Sequence, residues 1–139
     1  MSISILGYER NSAFRITSGA TISAGQLVGI NSSGAAVLAD ADAATPIEAV
    51  GFALEDCVSG DVIGVAICGR VKDTSWSYTP GAKLWLSGTA GGLATSKPAT
   101  ATNLIQPVGK AIAATEVILN IVPSLAVVQT AGTSTVAFQ

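Results

Sequence analysis

Residues 24–40 read Ala-Gly-Gln-Leu-Val-Gly-Ile-Asn-Ser-Ser-Gly-Ala-Ala-Val-Leu-Ala-Asp, and residues 80–96 read Pro-Gly-Ala-Lys-Leu-Trp-Leu-Ser-Gly-Thr-Ala-Gly-Gly-Leu-Ala-Thr-Ser. Each stretch is a glycine turn, a short apolar strand, a Ser/Gly turn and a second short strand. Each then runs through an Ala/Thr/Pro-rich segment, 39–49 or 97–107, into a Val-Gly strand: Val50-Gly51-Phe52-Ala53-Leu54 or Val108-Gly109-Lys110-Ala111-Ile112. The closing strands are Gly60 to Ile67 and Thr115 to Val122. The parts recur in one order while the loops between them vary in length, which is the mark of an internal repeat. Short Val/Ile/Leu/Thr strands punctuated by Ser-Gly, Pro-Gly and Gly-Gly pairs predict an all-β fold.

The expected architecture is a compact β-sandwich or barrel built from two tandem related β-repeats, with extended N- and C-terminal arms. The expected bounds are an N-terminal arm at 1–19 and a β-domain at 20–123. Within that domain lie repeat one at 20–69 and repeat two at 78–123. A C-terminal strand or arm follows at 124–139. Residues 39–44 have the composition of a helical turn, and Thr45-Pro46 and Gln106-Pro107 return the chain to extended structure, because the residue before proline avoids the helical region. The ends carry apolar anchors among polar residues, Tyr8, Phe14 and Ile16 at one end and Val127, Val128 and Phe138 at the other. Segments of that kind become ordered on a partner, or add edge strands to the same sheet, a reading that suits 14–19 better than 1–10.

With 139 residues the chain suffices for one domain with a real core, or for two very small ones sharing a core. Charged residues make up only 12%, about half the usual share, and mean hydropathy is +0.55. Ala, Gly, Ser and Thr fill the surface instead, which suits coverage by neighbours. The net charge of −2 and the lack of any Lys/Arg run point away from nucleic acid. No apolar stretch reaches membrane-spanning length, and the first residues lack the basic region of a signal peptide, so synthesis in a cytoplasm is expected. Charge is unevenly spread. Residues 20–69 hold six carboxylates and no base, whereas residues 70–139 hold five cations against Asp73 and Glu116. That split suggests that an acidic repeat of one copy meets a basic repeat of the next.

Candidate chemistry is sparse. The chain has no histidine, which removes the commonest general base, metal ligand and triad member. Cys57 and Cys68 do not complete a usual zinc site without histidine and are expected as thiols rather than a disulfide. Glu55 and Asp56 beside Cys57 are the wrong company for a nucleophilic thiolate. Asp40 and Asp42 share a face without the spacing of a calcium loop, so they read as solvated loop carboxylates. The glycine-rich 87–92 lacks the ending of a phosphate loop and reads as a hairpin turn. Neither enzymatic activity nor a cofactor is expected. Trp76, Tyr78 and Trp85 cluster near repeat two, as a base- or sugar-stacking platform or, more in keeping with such residues, as interface anchors. They are the candidate subunit interface.

The ordered set Ala24-Gly25-Gln26-Leu27-Val28, Val50-Gly51-Phe52-Ala53, Gly60-Asp61-Val62-Ile63-Gly64-Val65, Pro80-Gly81-Ala82-Lys83-Leu84-Trp85 and Val108-Gly109-Lys110-Ala111 resembles the capsid cement, or head decoration, proteins of tailed bacteriophages. The likeness spans roughly residues 20–122. It implies a structural virion protein on the capsid exterior that binds the major capsid protein and itself, commonly as a homotrimer, and bridges adjacent capsid subunits. Its partners would include neither nucleic acid nor membrane. Similar modules in phage head or tail fibres and baseplates leave a host-contacting β-module as the alternative. For the shell contact, the apolar and basic make-up of the N-terminal arm singles out Tyr8, Arg10, Phe14 and Arg15.

Overall fold

A computed structural model describes residues 13–43, 45–99, 103–121 and 127–128. The strands among them are β1 (Ala13–Thr17), β2 (Leu27–Ile30), β3 (Ala36–Leu38), β4 (Gly51–Ala53), β5 (Val62–Ala66), β6 (Cys68–Lys72), β7 (Lys83–Leu86), β8 (Leu93–Ala94), β9 (Leu104–Ile105), β10 (Pro107–Ala113), β11 (Glu116–Asn120) and β12 (Val127–Val128). The described residues contain no helix. Two five-stranded antiparallel sheets have the orders β1-β5-β4-β2-β3 and β6-β11-β10-β7-β8, and β9 pairs with β12. These are one order written twice, with β6, β7, β8, β10 and β11 standing where β1, β2, β3, β4 and β5 stand in the first sheet.

The glycines that mark the repeat have the same work in both halves. Gly25 and Gly81 open β2 and β7 from left-handed turns, with φ of 92° and 90°, a conformation in which other residues are strained. Gly51 and Gly109 lie where the closing strand comes too near for a side chain. A Cβ on Gly51 would run into the Val65 side chain, and one on Gly109 would stand 2.5 Å from the Ile118 carbonyl oxygen and 3.2 Å from Val117 Cγ1.

The two sheets are filled differently. The first curls until its edges meet: Ser18 bridges Ala36, and the Gly19 N–H donates to the Ala36 carbonyl at 2.8 Å. Inside this small barrel lie Ile22, Val28, Ala36, Ala53, Cys57, Ile63 and Val65, flanked by Phe14, Ile16 and Leu38. Among the described residues no bridge joins the edges of the second sheet. Its inner residues Leu84, Leu86, Val117 and Leu119 are instead covered by Leu27, Phe52 and Ala66, which point outward from the first barrel, and by Ala39, Ala41 and Ala49 of the 39–50 loop. Each fully buried large aliphatic contributes about 1.5–3 kcal/mol, so this shared core holds the repeats together.

Strand register makes the asymmetry explicit. Ala13, Ala66, Phe52 and Leu27 lie side by side across four strands of the first sheet. The equivalent row of the second sheet is Arg70, Ile118, Lys110 and Lys83. In the first row Leu27, Phe52 and Ala66 lie under the second repeat, while the second row faces solvent.

Three expectations are corrected. Residues 13–17, bounded within the arm, follow the alternative reading as an edge strand: they are β1, paired residue for residue with β5. Phe14 and Ile16 alternate inward, so an edge strand has the same anchored look in sequence as an arm. Cys68 and Gly69, placed at the end of repeat one, belong to β6, the opening strand of the second sheet. Alternation of Val71 with Arg70 and Lys72 makes a strand with one apolar side. The helical turn expected at 39–44 does not form in its described residues, 39–43, which are a loop. Asp40 and Ile47 exchange two backbone hydrogen bonds of 2.9 Å, and the Asp40 carboxylate accepts the Asp42 N–H at 2.9 Å, a local bond that competes with helix. The expected arm at 1–12 lies outside the described residues, and of 124–139 only the β12 backbone lies within them.

One buried polar side chain joins the repeats. Gln106 is fully buried, accepts the Ala49 N–H at 2.8 Å and donates to the Ala49 carbonyl at 2.8 Å. Its amide acts as a strand rung between the halves. Gln106→Leu strands both Ala49 groups and is expected to cost about 2–4 kcal/mol. Gly109→Ala, pressed against a backbone carbonyl, is expected to cost about 1–3 kcal/mol. Urea denaturation measures both, and a loss below about 0.5 kcal/mol in either variant would contradict its mechanism.

Candidate interaction surface

The outer side of the second sheet departs from an ordinary solvated face. Its row of Arg70, Ile118, Lys110 and Lys83 crosses four strands. Ile118 is 46% exposed and Ile112, on the same strand as Lys110, is 38% exposed. A shallow depression of about 390 Å³ is lined by Lys83, Pro107, Lys110, Ile112, Ile118 and Asn120. Glu116 is taken by Arg70, whose Nε donates to Oε1 at 2.6 Å. Lys83 and Lys110 are direct cross-strand partners, and among the described residues neither has a carboxylate within ion-pair distance. Like charges placed opposite each other on a sheet are destabilising.

A second surface lies on the first repeat. Where the cover of the second repeat ends, the outer side of the first sheet continues as Leu54, 48% exposed, and Val62, 50% exposed; Val58 in the intervening turn is 58% exposed. Glu55, Asp56 and Asp61 surround them, all exposed. Each carboxylate also holds the loop in shape, accepting the N–H of Gly64, Ala24 and Val58 respectively at 2.8–3.0 Å.

The residues singled out in sequence fall in separate places. Trp85 lies on the cationic face, half-buried, with Lys83 Nζ 5.3 Å from its ring centre. Trp76 and Tyr78 do not join it. They pack against the shared core, Trp76 edge-on to Phe52 at 6.1 Å and against Tyr78 at 5.5 Å. Each is half-buried, so the segment before Pro80 carries an aromatic clasp between the repeats. Phe14 packs against the inner barrel core. Arg15 is exposed, donates to the Val62 carbonyl at 3.2 Å and approaches Glu55 at 4.0 Å. Tyr8 and Arg10 lie outside the described residues. Cys57, buried, and Cys68, partly so, are both free thiols.

The aromatic clasp is held by the turn before it. Asp73 accepts from the Ser75 hydroxyl at 2.7 Å and from the Ser75 N–H at 2.9 Å. The hydroxyl bond and then the backbone bond hold its carboxyl below the ordinary 3.8. Burial, aided by the Asp73 charge, pushes the Tyr78 phenol above the ordinary 10.0. Among the described residues no group of three His, Cys, Asp or Glu side chains is placed to hold a metal ion.

In comparisons with known proteins, no family model matches the chain and no curated protein is similar to it.

The folded chain holds the Tyr78 proton more tightly than the unfolded chain does. Its contribution to stability is therefore complete below pH 10.0 and is lost as pH rises through the higher folded value. Alkaline unfolding curves of the natural chain are expected to fall more steeply in that window than those of Tyr78→Phe. Identical slopes would show that the phenol is not shielded by the clasp.

Proposed function

We propose that this chain is a structural virion protein that binds the outer surface of a phage capsid and stabilises it by bridging major capsid subunits, without catalysis. The observation that carries this reading is the exposure of large aliphatic side chains on both repeats of a cross-braced β-body, Ile112 and Ile118 lining one depression of the second and Leu54, Val58 and Val62 on one hairpin of the first. Scattered single exposures are ordinary on monomers, whereas grouped ones mark contact surfaces. The motifs behind the resemblance to cement proteins add a second support. Gly25, Gly81, Gly51 and Gly109 of those motifs stand at turns and close approaches in both repeats. A staple of this kind opposes the outward pressure of packaged DNA by adding buried area across capsid joints, at roughly 25 cal/mol per Å² of apolar surface.

A fibre or baseplate module that contacts the host surface is the second reading. Trp85, half-buried with Lys83 near its ring, is the feature that favours it, since an indole face can stack on a sugar ring.

Co-sedimentation separates the two. The cement reading expects the chain to pellet with expanded shells and not with compact precursors, and to raise the temperature at which shells release DNA. Removing residues 1–12 leaves β1 intact and is expected to abolish pelleting without changing the unfolding midpoint. Retained pelleting would overturn the assignment of the shell contact to the arm. A full-length chain that ignores expanded shells but binds cells or glycans would overturn the cement reading.

A further inference from the structure

We infer that the cationic outer face of the second repeat docks the acidic aliphatic surface of the first repeat of another copy, so that copies associate head to tail. This inference concerns the free protein and does not depend on the identity of any shell.

Three observations converge on that occupant. The first is equivalence within the fold. The row Ala13-Ala66-Phe52-Leu27 and the row Arg70-Ile118-Lys110-Lys83 occupy the same register positions of the duplicated sheet. In the first repeat this row supplies Leu27, Phe52 and Ala66 to the contact between the halves. In the second repeat the chain provides nothing to cover it among the described residues, yet Ile118 remains in the middle of it, 46% exposed.

The second observation is charge. Lys83 and Lys110 oppose each other with no carboxylate in ion-pair reach among the described residues. A partner that brings carboxylates relieves that repulsion. Glu55, Asp56 and Asp61 are exposed and gathered on one hairpin, and among the described residues only Glu55 has a cation within ion-pair distance, Arg15 at 4.0 Å. Complementary charges of this kind set register and speed encounter.

The third observation is that the aliphatic parts match. Leu54, Val58 and Val62 are exposed on one hairpin, Ile112 and Ile118 on the cationic face, and Ile30 is the remaining large aliphatic exposed among the described residues. Neither surface can pair with its own kind. Two cationic faces would repel through Lys83 and Lys110, and two acidic surfaces through Glu55, Asp56 and Asp61. The contact is therefore heterologous, which closes into a ring or continues as an open chain according to the rotation it imposes.

Complementation between two broken variants tests this directly. Lys83→Glu with Lys110→Glu spoils the cationic face; Val58→Lys with Val62→Lys spoils the acidic one. All four positions are exposed, and unfolding midpoints check that both variants fold. Light scattering on the natural chain is expected to show association that weakens as salt rises. Each double variant alone is expected to be monomeric, with self-affinity reduced roughly a hundredfold. The milder pair Lys83→Gln with Lys110→Gln is expected to lose roughly tenfold and serves if the charge reversals fail to fold. Equal amounts of the two spoiled variants retain one intact face each, and their mixture is expected to form dimers and nothing larger. A monomeric natural chain at millimolar concentration, a spoiled variant that still associates, or a mixture that stays monomeric would each overturn the inference.

Discussion

Leu27, Phe52 and Ala66 leave the outside of one barrel and become the inside of the other half, and the rest of the molecule depends on that crossing. The second sheet does not close on itself as the first does through Ser18 and Ala36. Its inner leucines and valines would face water without this cover. The 39–50 loop completes the cover because Ala39, Ala41 and Ala49 are small enough for backbone to enter a core. The backbone polar groups brought in with them are answered: Ala41 N–H by the Ser87 carbonyl at 3.1 Å, and both groups of Ala49 by Gln106. Buried backbone groups without partners would erase the gain from the alanines. The aromatic clasp of Phe52, Trp76 and Tyr78 extends the same contact toward the surface.

Much of the fold was legible because its repeats announce themselves through backbone requirements. A left-handed turn and a strand too close for a Cβ each demand glycine, and the demand recurs wherever the architecture recurs. Gly25 with Gly81 and Gly51 with Gly109 are therefore readable at once. The strands that were misplaced have no such mark. β1 reads as an arm because an edge strand with Phe14 and Ile16 on one side and Arg15 on the other looks like any anchored segment. β6 hides for a related reason: its inward side offers only Val71 as a large aliphatic, and its charged residues resemble a linker.

The candidate surface was legible in composition and not in place. The division into an acidic and a basic repeat is plain from counting. Only strand register brings Arg70, Ile118, Lys110 and Lys83 into one row, because they come from four strands spread over forty-nine positions of sequence. The aromatics show the converse error. Trp76 and Tyr78 are near Trp85 in sequence, but Trp85 sits on a strand facing out while the other two fold back over Phe52. Gln106 carried no signal beyond its place before proline, since a side-chain amide used as a strand rung has no pattern of its own.

Duplication followed by unequal filling explains why the two halves present unlike surfaces. A pair of identical repeats would expose identical faces and would favour symmetric self-pairing. Here the first repeat spends its outer row on the second, so that row must be apolar, and its remaining surface is free to carry Asp56, Asp61 and their neighbours. The second repeat has no third to cover, so its row admits Arg70, Lys83 and Lys110 while Ile118 persists among them. Charge of opposite sign on the two halves works against symmetric pairing of like faces, which is why the inferred contact is head to tail. The same asymmetry that lets one sheet complete the other within the chain underlies the head-to-tail contact inferred above.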